Sequence, residues 1–90
     1  MRIALICRDK PGALQIRLDT RAAHLAHIEA SGSVEMAGPF LSPEGGMTGS
    51  LIILNVESLA VAQNWADADP YALAGLFESV VLSEWKKVIG

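Results

Sequence analysis

The sequence predicts a single α+β domain with the ferredoxin-like order β-α-β-β-α-β, in which two helices cover one face of a four-stranded antiparallel sheet. Short apolar runs bounded by turn residues predict the strands, and segments with apolar residues at every third or fourth position predict the helices. The chain has 90 residues, which leaves no room for a second core, so residues 1–90 form one domain.

The first strand and the first helix lie on either side of a turn cluster at residues 8–12. Residues 3–7 are apolar throughout, and their number favours a buried strand. Over residues 13–30, apolar side chains recur at helical spacing and form a stripe that we expect to face the core: Leu14, Leu18, Ala22, Leu25 and Ile28. Gly32 is suited to the left-handed conformation that ends many helices.

A second strand and a loop follow the first helix. We expect residues 34–37 to form a short strand that ends at Gly38 and Pro39, followed by a polar loop over residues 40–49. That loop has no lysine at the spacing of a phosphate-binding loop, so no nucleotide cofactor is predicted. Residues 50–56 form the strongest strand pattern in the chain.

The last third of the chain repeats the alternation of helix and strand. Ser58 is a predicted N-cap, and the helix after it places four apolar residues on one side: Leu59, Ala62, Trp65 and Ala66. A brief helix restarts at Pro70, and the final strand begins at residue 76 or 77 and runs to residue 85.

The apolar strands predict a homodimer. Antiparallel sheets with one wet face alternate apolar and polar residues, but residues 3–7, 51–54 and 80–82 do not alternate. Both sheet faces should therefore be dry, and the helices cover only one. A second copy of the chain is the expected cover, since twofold association is the commonest oligomer. The alternative is a monomer with unusually apolar strands.

Composition and charge argue against several classes of partner. The net charge is −3 and no basic stripe is present, so no nucleic-acid partner is expected. No apolar run reaches the roughly 20 residues that span a bilayer, and no signal-peptide pattern is present, so we expect a cytoplasmic protein without a membrane partner. Cys7 is the only cysteine, and its apolar strand predicts a buried, inert thiol.

Asp69 is the residue around which the functional interpretation is built. It follows an apolar helical pattern and directly precedes Pro70, which disfavours the helical conformation for its predecessor. Asp69 is therefore a natural N-cap for a segment that starts at Pro70. A carboxylate fixed in such a corner can also point at a partner elsewhere in the fold.

The first helix carries polar residues where packing alone would place leucine or alanine. Arg17, Arg21 and His24 form one ridge at spacings of four and three, with Arg21 inside the apolar stripe and the other two along its edge, while His27 points away. If Asp69 holds one imidazole nitrogen of His24, the other becomes a general base or acid. Arg17 and Arg21 would then bind an anionic oxygen of a substrate.

Two other chemistries fit the residues less well. His24 and His27 are three residues apart, but they point in different directions and have no evident third ligand, so no metal is predicted. Ser50 and Ser58 have no nucleophile-elbow motif around them.

Four segments together resemble the YciI-like, or YCII-related, family of small bacterial proteins: RLDTRAAHL at 17–25, AGP at 37–39, TGS at 48–50 and WADADPY at 65–71. The resemblance extends nearly end to end. It implies a ferredoxin-like fold whose sheets pair into a dimeric α+β barrel, and a site in which His24 faces Asp69. It also implies little about the substrate, since most members have no assigned reaction and one relative is a dehydrochlorinase.

Three hypotheses about function follow. The first is a small-molecule enzyme of lyase, isomerase or dehydrochlorinase type, in which His24 moves a proton and Asp69 orients it on an anionic or phenolic substrate. The second is a dimer that binds a small ligand or regulates without catalysis. The third is a purely structural dimer, in which Asp69 caps a helix and His24 fills a gap.

Overall fold

The fold is a four-stranded antiparallel sheet with three helices on one face. A computed structural model describes the chain from Met1 to Gly90. Its elements in chain order are β1 (Arg2–Asp9), α1 (Leu14–Ser31), β2 (Val34–Leu41), β3 (Met47–Asn55), α2 (Leu59–Ala68), α3 (Pro70–Leu73) and β4 (Phe77–Glu84). The strand order is β2-β3-β1-β4, and every neighbouring pair is antiparallel. The predicted ferredoxin-like α+β fold class is confirmed.

The predicted helix ends are also present. Gly32 ends α1 in the left-handed conformation, with φ of 63°. The Ser58 hydroxyl accepts the backbone N–H of Val61 at the start of α2. None of the three helices combines the length and apolarity that crossing a bilayer requires.

The core lies between the sheet and α2. Ile3, Leu5 and Cys7 of β1 point to the helical face beside Ile52 and Leu54 of β3, and all five are fully buried. They pack against three residues of α2: Ala62, Trp65 and Ala66. Because side chains alternate along a strand, the residues between these point to the opposite face of the sheet.

The opposite face of the sheet is apolar and has no helix over it. Ala4 pairs with Ile53, and Ile6 lies between Leu51 and Val81 in the register of the three central strands. Ala4 and Ile53 are already buried by their neighbours, whereas Val81 is 53% exposed. We call this surface, made of Ala4, Ile6, Leu51, Ile53 and Val81, the outer patch.

The prediction of a loop over residues 40–49 was wrong in extent. Strands β2 and β3 continue through most of that segment and leave a tight turn, in which the Ser42 N–H donates to the Gly46 carbonyl. One proline and one glycine account for the wrong prediction of the strand ends. Pro39 lies on the edge strand β2, where its missing N–H costs no ladder bond. Gly49 lies within β3, and this position requires glycine because a Cβ there would collide with the Cys7 carbonyl.

The predicted buried face of α1 was also wrong. Leu14, Leu18 and Leu25 are each nearly half exposed, and the two buried residues of the helix are Arg17 and His24. The helix is rotated from the apolar stripe because its strongest contacts are polar bonds to groups on β1, β3 and the α2–α3 corner. Arg21, expected within the buried stripe, is exposed, and His27, expected to point away, is half-buried.

Candidate active site

A cleft of about 180 Å³ separates α1 from strands β2 and β3. Its polar lining comes from five side chains: Arg17, Arg21, His24, Ser50 and Tyr71. The remaining lining is apolar or glycine and comes from α1, β2 and β3. Convergent polar groups in an otherwise apolar concavity are the usual form of a small-molecule site.

His24 and Asp69 meet at the wall of this cleft. Nδ1 of His24 lies 2.8 Å from Oδ1 of Asp69, and the two residues are 6% and 1% exposed. An ionised carboxylate can only accept, so Nδ1 carries the proton and donates it. Nε2 makes no hydrogen bond within the chain, and it belongs to a residue that lines the cleft. The hydrogen bond therefore leaves Nε2 as the imidazole nitrogen that is available to a ligand in the cleft.

Asp69 combines the two roles that its sequence position allows. It is the N-cap of α3, and its Oδ1 accepts the backbone N–H of Tyr71 at 3.0 Å as well as the imidazole. Its φ and ψ of −60° and 124° are extended, as expected before Pro70. Capping holds the carboxylate in place, and that fixed position brings it against His24. Its Oδ2 is buried without a partner.

Arg17 is held in a buried ion pair. Its Nε and Nη2 each donate to one carboxylate oxygen of Asp9 at 2.8 Å, and Nη2 also donates to the Ser50 hydroxyl at 3.0 Å. Burial alone would lower the pKa of Arg17, but the hydrogen bonds and charge of Asp9 outweigh it and raise that pKa. A register shift between Arg8 and Asp9 in the β1–β4 ladder marks the place where β1 turns towards α1.

Arg21 is the free cation of the cleft. It makes no hydrogen bond and no salt bridge within the chain, and it lies on the exposed rim beside His24. The structure thus separates the two arginines of the predicted ridge. Asp9 neutralises Arg17, whereas Arg21 keeps its charge available to an entering anion.

Three residues of the site were missed from the sequence: Asp9, Ser50 and Tyr71. Asp9 was read as part of a turn, although a carboxylate that directly ends an apolar strand is well placed to meet a helix cation. Tyr71 follows Asp69 by two residues, and a capping side chain accepts a hydrogen bond from the backbone N–H at that position. That spacing was the available signal for Tyr71. Ser50 was considered only as a nucleophile, and no pattern around it indicates a bond to Arg17.

The two histidines do not form a joint site. His27 directs Nε2 to the Trp65 carbonyl at 3.1 Å, and its ring lies 4.5 Å from the Trp65 ring. No three His, Cys, Asp or Glu side chains come together in a way that could hold a metal ion. The expectation that the protein uses no metal stays a prediction.

Cys7 lies under the site with no exposed surface. Burial, with a smaller contribution from the Asp69 charge, raises the pKa of its thiol to about 12. The thiol is therefore neutral and shielded in the folded chain.

We expect Cys7 to resist iodoacetamide in the native protein and to react after unfolding. Above the ordinary thiol pKa the unfolded chain loses this proton and the native chain keeps it, so the free energy of unfolding should fall as the pH rises towards 12. The slope approaches about 1.4 kcal/mol per pH unit. Thermal melts of wild type and Cys7→Ala between pH 8 and 11 check this, and equal slopes in the two proteins would contradict it.

The fold and the site define a class: a small ferredoxin-like α+β domain with a buried histidine–aspartate pair at the wall of a small-molecule cleft. The chain belongs to the YCII-related domain family, whose model matches residues 1–86. It is 40% identical to protein YciI of Escherichia coli O6:H1, with 98% of this chain and 99% of that protein aligned. An uncharacterized protein of Haemophilus influenzae is 35% identical over the same shares.

A solved structure extends the comparison to a ligand complex. The chain superposes with a TM-score of 0.89 on the 5-chloro-2-hydroxyhydroquinone dehydrochlorinase of Burkholderia phenoliruptrix AC1100 in complex with 2,5-dihydroxybenzoquinone. The two are 36% identical, and the match covers 96% of this chain and 94% of the dehydrochlorinase. This similarity concerns nearly the whole domain.

Proposed function

We propose that the protein is a small-molecule enzyme of lyase, isomerase or dehydrochlorinase type, in which His24 transfers a proton and Asp69 orients it. The observation that carries this proposal is the 2.8 Å contact between Nδ1 of His24 and Asp69 at the wall of the cleft, which leaves Nε2 without a partner in the chain. A histidine held in this way has a fixed tautomer, and its second nitrogen can accept a proton.

The chemistry is a reversible proton transfer. Nε2 accepts a proton from a hydroxyl or an activated carbon of the ligand, and the positive charge that develops on the imidazole lies beside the Asp69 carboxylate. The negative charge that develops on the ligand oxygen is stabilised by a cation at the rim. The same nitrogen can return its proton to another atom, which gives isomerisation, or lose it to water after a leaving group departs.

Arg21 is the residue that we assign to the negative charge of the ligand. It is the one guanidinium of the cleft with no partner in the chain, whereas Arg17 is committed to Asp9. Arg17 therefore acts on the ligand mainly through the shape of the wall that it supports. A cleft of this volume suits a ligand with about one six-membered ring. The ligand in the dehydrochlorinase complex, 2,5-dihydroxybenzoquinone, is of that size.

We expect Arg21→Gln to weaken binding of 2,5-dihydroxybenzoquinone by about tenfold to a hundredfold, because a charge-assisted hydrogen bond contributes about 1.5–3 kcal/mol. Isothermal titration calorimetry measures this loss. The matched control is Arg8→Gln, which removes the same charge at a site outside the cleft. The Arg8 guanidinium lies over the Phe40 ring, and Arg8 does not line the cleft. Equal effects of the two changes would contradict the assignment.

Turnover separates this proposal from the alternative of a ligand-binding dimer without catalysis. We expect the wild-type protein to release chloride from 5-chloro-2-hydroxyhydroquinone, or to accelerate proton exchange on a related hydroxylated ring. Tight binding of such rings without turnover or exchange would favour the non-catalytic alternative. Failure of both binding and turnover would favour the structural one.

We also propose that two copies pair through the outer patch. No helix covers its apolar side chains, and Val81 at its edge is more than half exposed. The absence of nucleic-acid and membrane partners and the cytoplasmic location likewise stay predictions.

We expect Val81→Glu to dissociate the dimer, because it places a charge in an apolar interface. Analytical ultracentrifugation of wild type should give twice the 9.6 kDa mass of one chain, and Val81→Glu should give the single mass. Leu73→Glu is the control, since Leu73 is an equally apolar and more exposed residue on α3, away from the outer patch. A monomeric wild type would refute the pairing.

A further inference from the structure

We propose that Tyr71 is a positioning residue for the proton transfer, because its ring fixes the plane of the His24 imidazole. This inference rests on the proposed function of His24, and it assigns a role to a residue outside the predicted histidine–aspartate pair. It concerns the aromatic ring of Tyr71 and not its hydroxyl.

The two rings form a close, nearly parallel stack. Their centroids are 3.9 Å apart and the angle between their planes is 17°. The same chain contains a second histidine–aromatic pair, His27 and Trp65, whose centroids are 4.5 Å apart and whose planes are tilted by 36°. The tighter and flatter stack is the one at the cleft.

A stacked partner supplies a constraint that the carboxylate lacks. The hydrogen bond to Asp69 holds one nitrogen of His24, but it tolerates a range of angles and so fixes the plane of the ring only loosely. The terminal torsion of histidine is intrinsically broad, so the side chain does not restrict rotation of the ring by itself. Contact with a flat aromatic face does restrict it, and the direction of the Nε2 lone pair is then defined.

Tyr71 is itself rigidly held, as a positioning residue must be. It is 2% exposed, and its ring meets Phe77 edge to face, with centroids 6.0 Å apart at 81°. Its backbone N–H donates to Oδ1 of Asp69, the atom that also accepts from His24. Oδ1 of Asp69 therefore holds the Nδ1 edge of the imidazole and also holds the backbone of Tyr71, whose ring covers the face of the imidazole.

The hydroxyl of Tyr71 has a separate environment. Burial raises the pKa of this phenol, and the nearby Arg17 only partly opposes the shift, so the group is neutral at physiological pH. The Arg17 guanidinium lies 4.8 Å from the ring centroid and contacts the same ring as His24 does. The charged and titratable groups that contact the imidazole or line the cleft with it are Asp69, Tyr71, Arg17 and Arg21.

The test compares Tyr71→Phe, which keeps the ring, with Tyr71→Leu, which removes it. Trp65→Leu is the matched control, because it removes a buried aromatic ring that lies against His27 at a tilt. We expect Tyr71→Leu to lower kcat on 5-chloro-2-hydroxyhydroquinone by about a hundredfold with little change in KM, as misplaced catalytic groups do. Tyr71→Phe should retain kcat within about threefold of wild type.

Proton and nitrogen NMR of the imidazole in the ligand-free protein provides a second readout that needs no turnover. In wild type and Tyr71→Phe, the His24 ring protons should be shifted upfield by the stacked ring, with the proton on Nδ1 alone. In Tyr71→Leu the upfield shift should vanish and the His24 ring signals should broaden as the ring samples more than one orientation, while the proton stays on Nδ1, whereas Trp65→Leu should change the signals of His27 only.

The two readouts distinguish the possible failures. An unshifted His24 signal in wild type would overturn the stack directly, even if Tyr71→Leu does not fold. Sharp His24 ring signals, which indicate a single ring orientation, and unchanged kcat in folded Tyr71→Leu would overturn the positioning role while leaving the proposed function intact. Equal loss of kcat in Tyr71→Phe and Tyr71→Leu would transfer the role to the hydroxyl and also overturn the inference. A fixed, stacked imidazole in a protein without turnover would instead contradict the proposed function.

Discussion

Replacement of His24 by glutamine is expected to lower kcat by about a hundredfold to ten-thousandfold, which is the range that general acid–base catalysis contributes. Glutamine keeps a polar group near Asp69 but has no nitrogen that can accept a proton at neutral pH. The change therefore removes the proton acceptor and spares most of the packing around it. Chloride release from 5-chloro-2-hydroxyhydroquinone gives the rate.

His27→Gln is the matched control for this prediction. It makes the same substitution three residues later on the same helix, at a histidine that bonds to a backbone carbonyl outside the cleft lining. We expect kcat to stay near the wild-type value. Comparable losses in the two variants would mean that His24 acts through the stability of α1 and not through proton transfer.

Asp69→Asn should resemble His24→Gln in its effect on kcat. Oδ1 of Asp69 accepts from both the Tyr71 N–H and the imidazole, and an amide oxygen in its place can do the same, so α3 should form. The amide carries no negative charge to stabilise the imidazolium that forms when Nε2 accepts a proton, so kcat should fall although the tautomer is kept.

Replacement of Asp9 by alanine is expected to destabilise the fold by about 3–5 kcal/mol, since it leaves the Arg17 guanidinium buried without its ion-pair partner. That loss is a large fraction of the total stability of a domain of this size. The melting temperature should fall by more than about 10 °C, as a domain of 60–100 residues loses about 4–8 °C for each kcal/mol. Differential scanning calorimetry measures it.

Two further variants show whether burial is the cause. The double change Asp9→Ala with Arg17→Met removes both charges, and it should melt above Asp9→Ala alone. Glu35→Ala breaks the more exposed ion pair between Arg2 and Glu35, and it should change the melting temperature only slightly. If Asp9→Ala melts no lower than Glu35→Ala, the Asp9–Arg17 pair does not hold α1 to the sheet.

The fold was predictable because its signals are local. Each strand and helix follows from the period of apolar residues and from caps such as Ser58, Gly32 and Asp69, which the structure places as expected. The β2–β3 hairpin was not predictable in extent, since Gly49 marks a close approach to β1 and not a loop. A glycine that is needed for packing looks the same in a sequence as one that is needed for a turn.

The site was predictable only in part, because its contacts are long-range. His24 and Asp69 stood out as residues that packing and capping did not fully explain, and they lie 45 positions apart in the sequence. The orientation of α1 was predicted incorrectly, since hydrophobicity alone pointed to the leucine stripe. Buried bonds from Arg17 to Asp9 and Ser50 outweigh that preference, and no pattern within the helix reveals partners on other elements.

The most direct measurement is a crystal structure of the protein with 2,5-dihydroxybenzoquinone bound. We predict the ring in the cleft between α1 and β2–β3, with one oxygen in hydrogen-bond reach of His24 Nε2 and another facing Arg21. A ligand that binds elsewhere, or that occupies the cleft while Nε2 points away from it, would contradict a role for His24 in moving the ligand's proton.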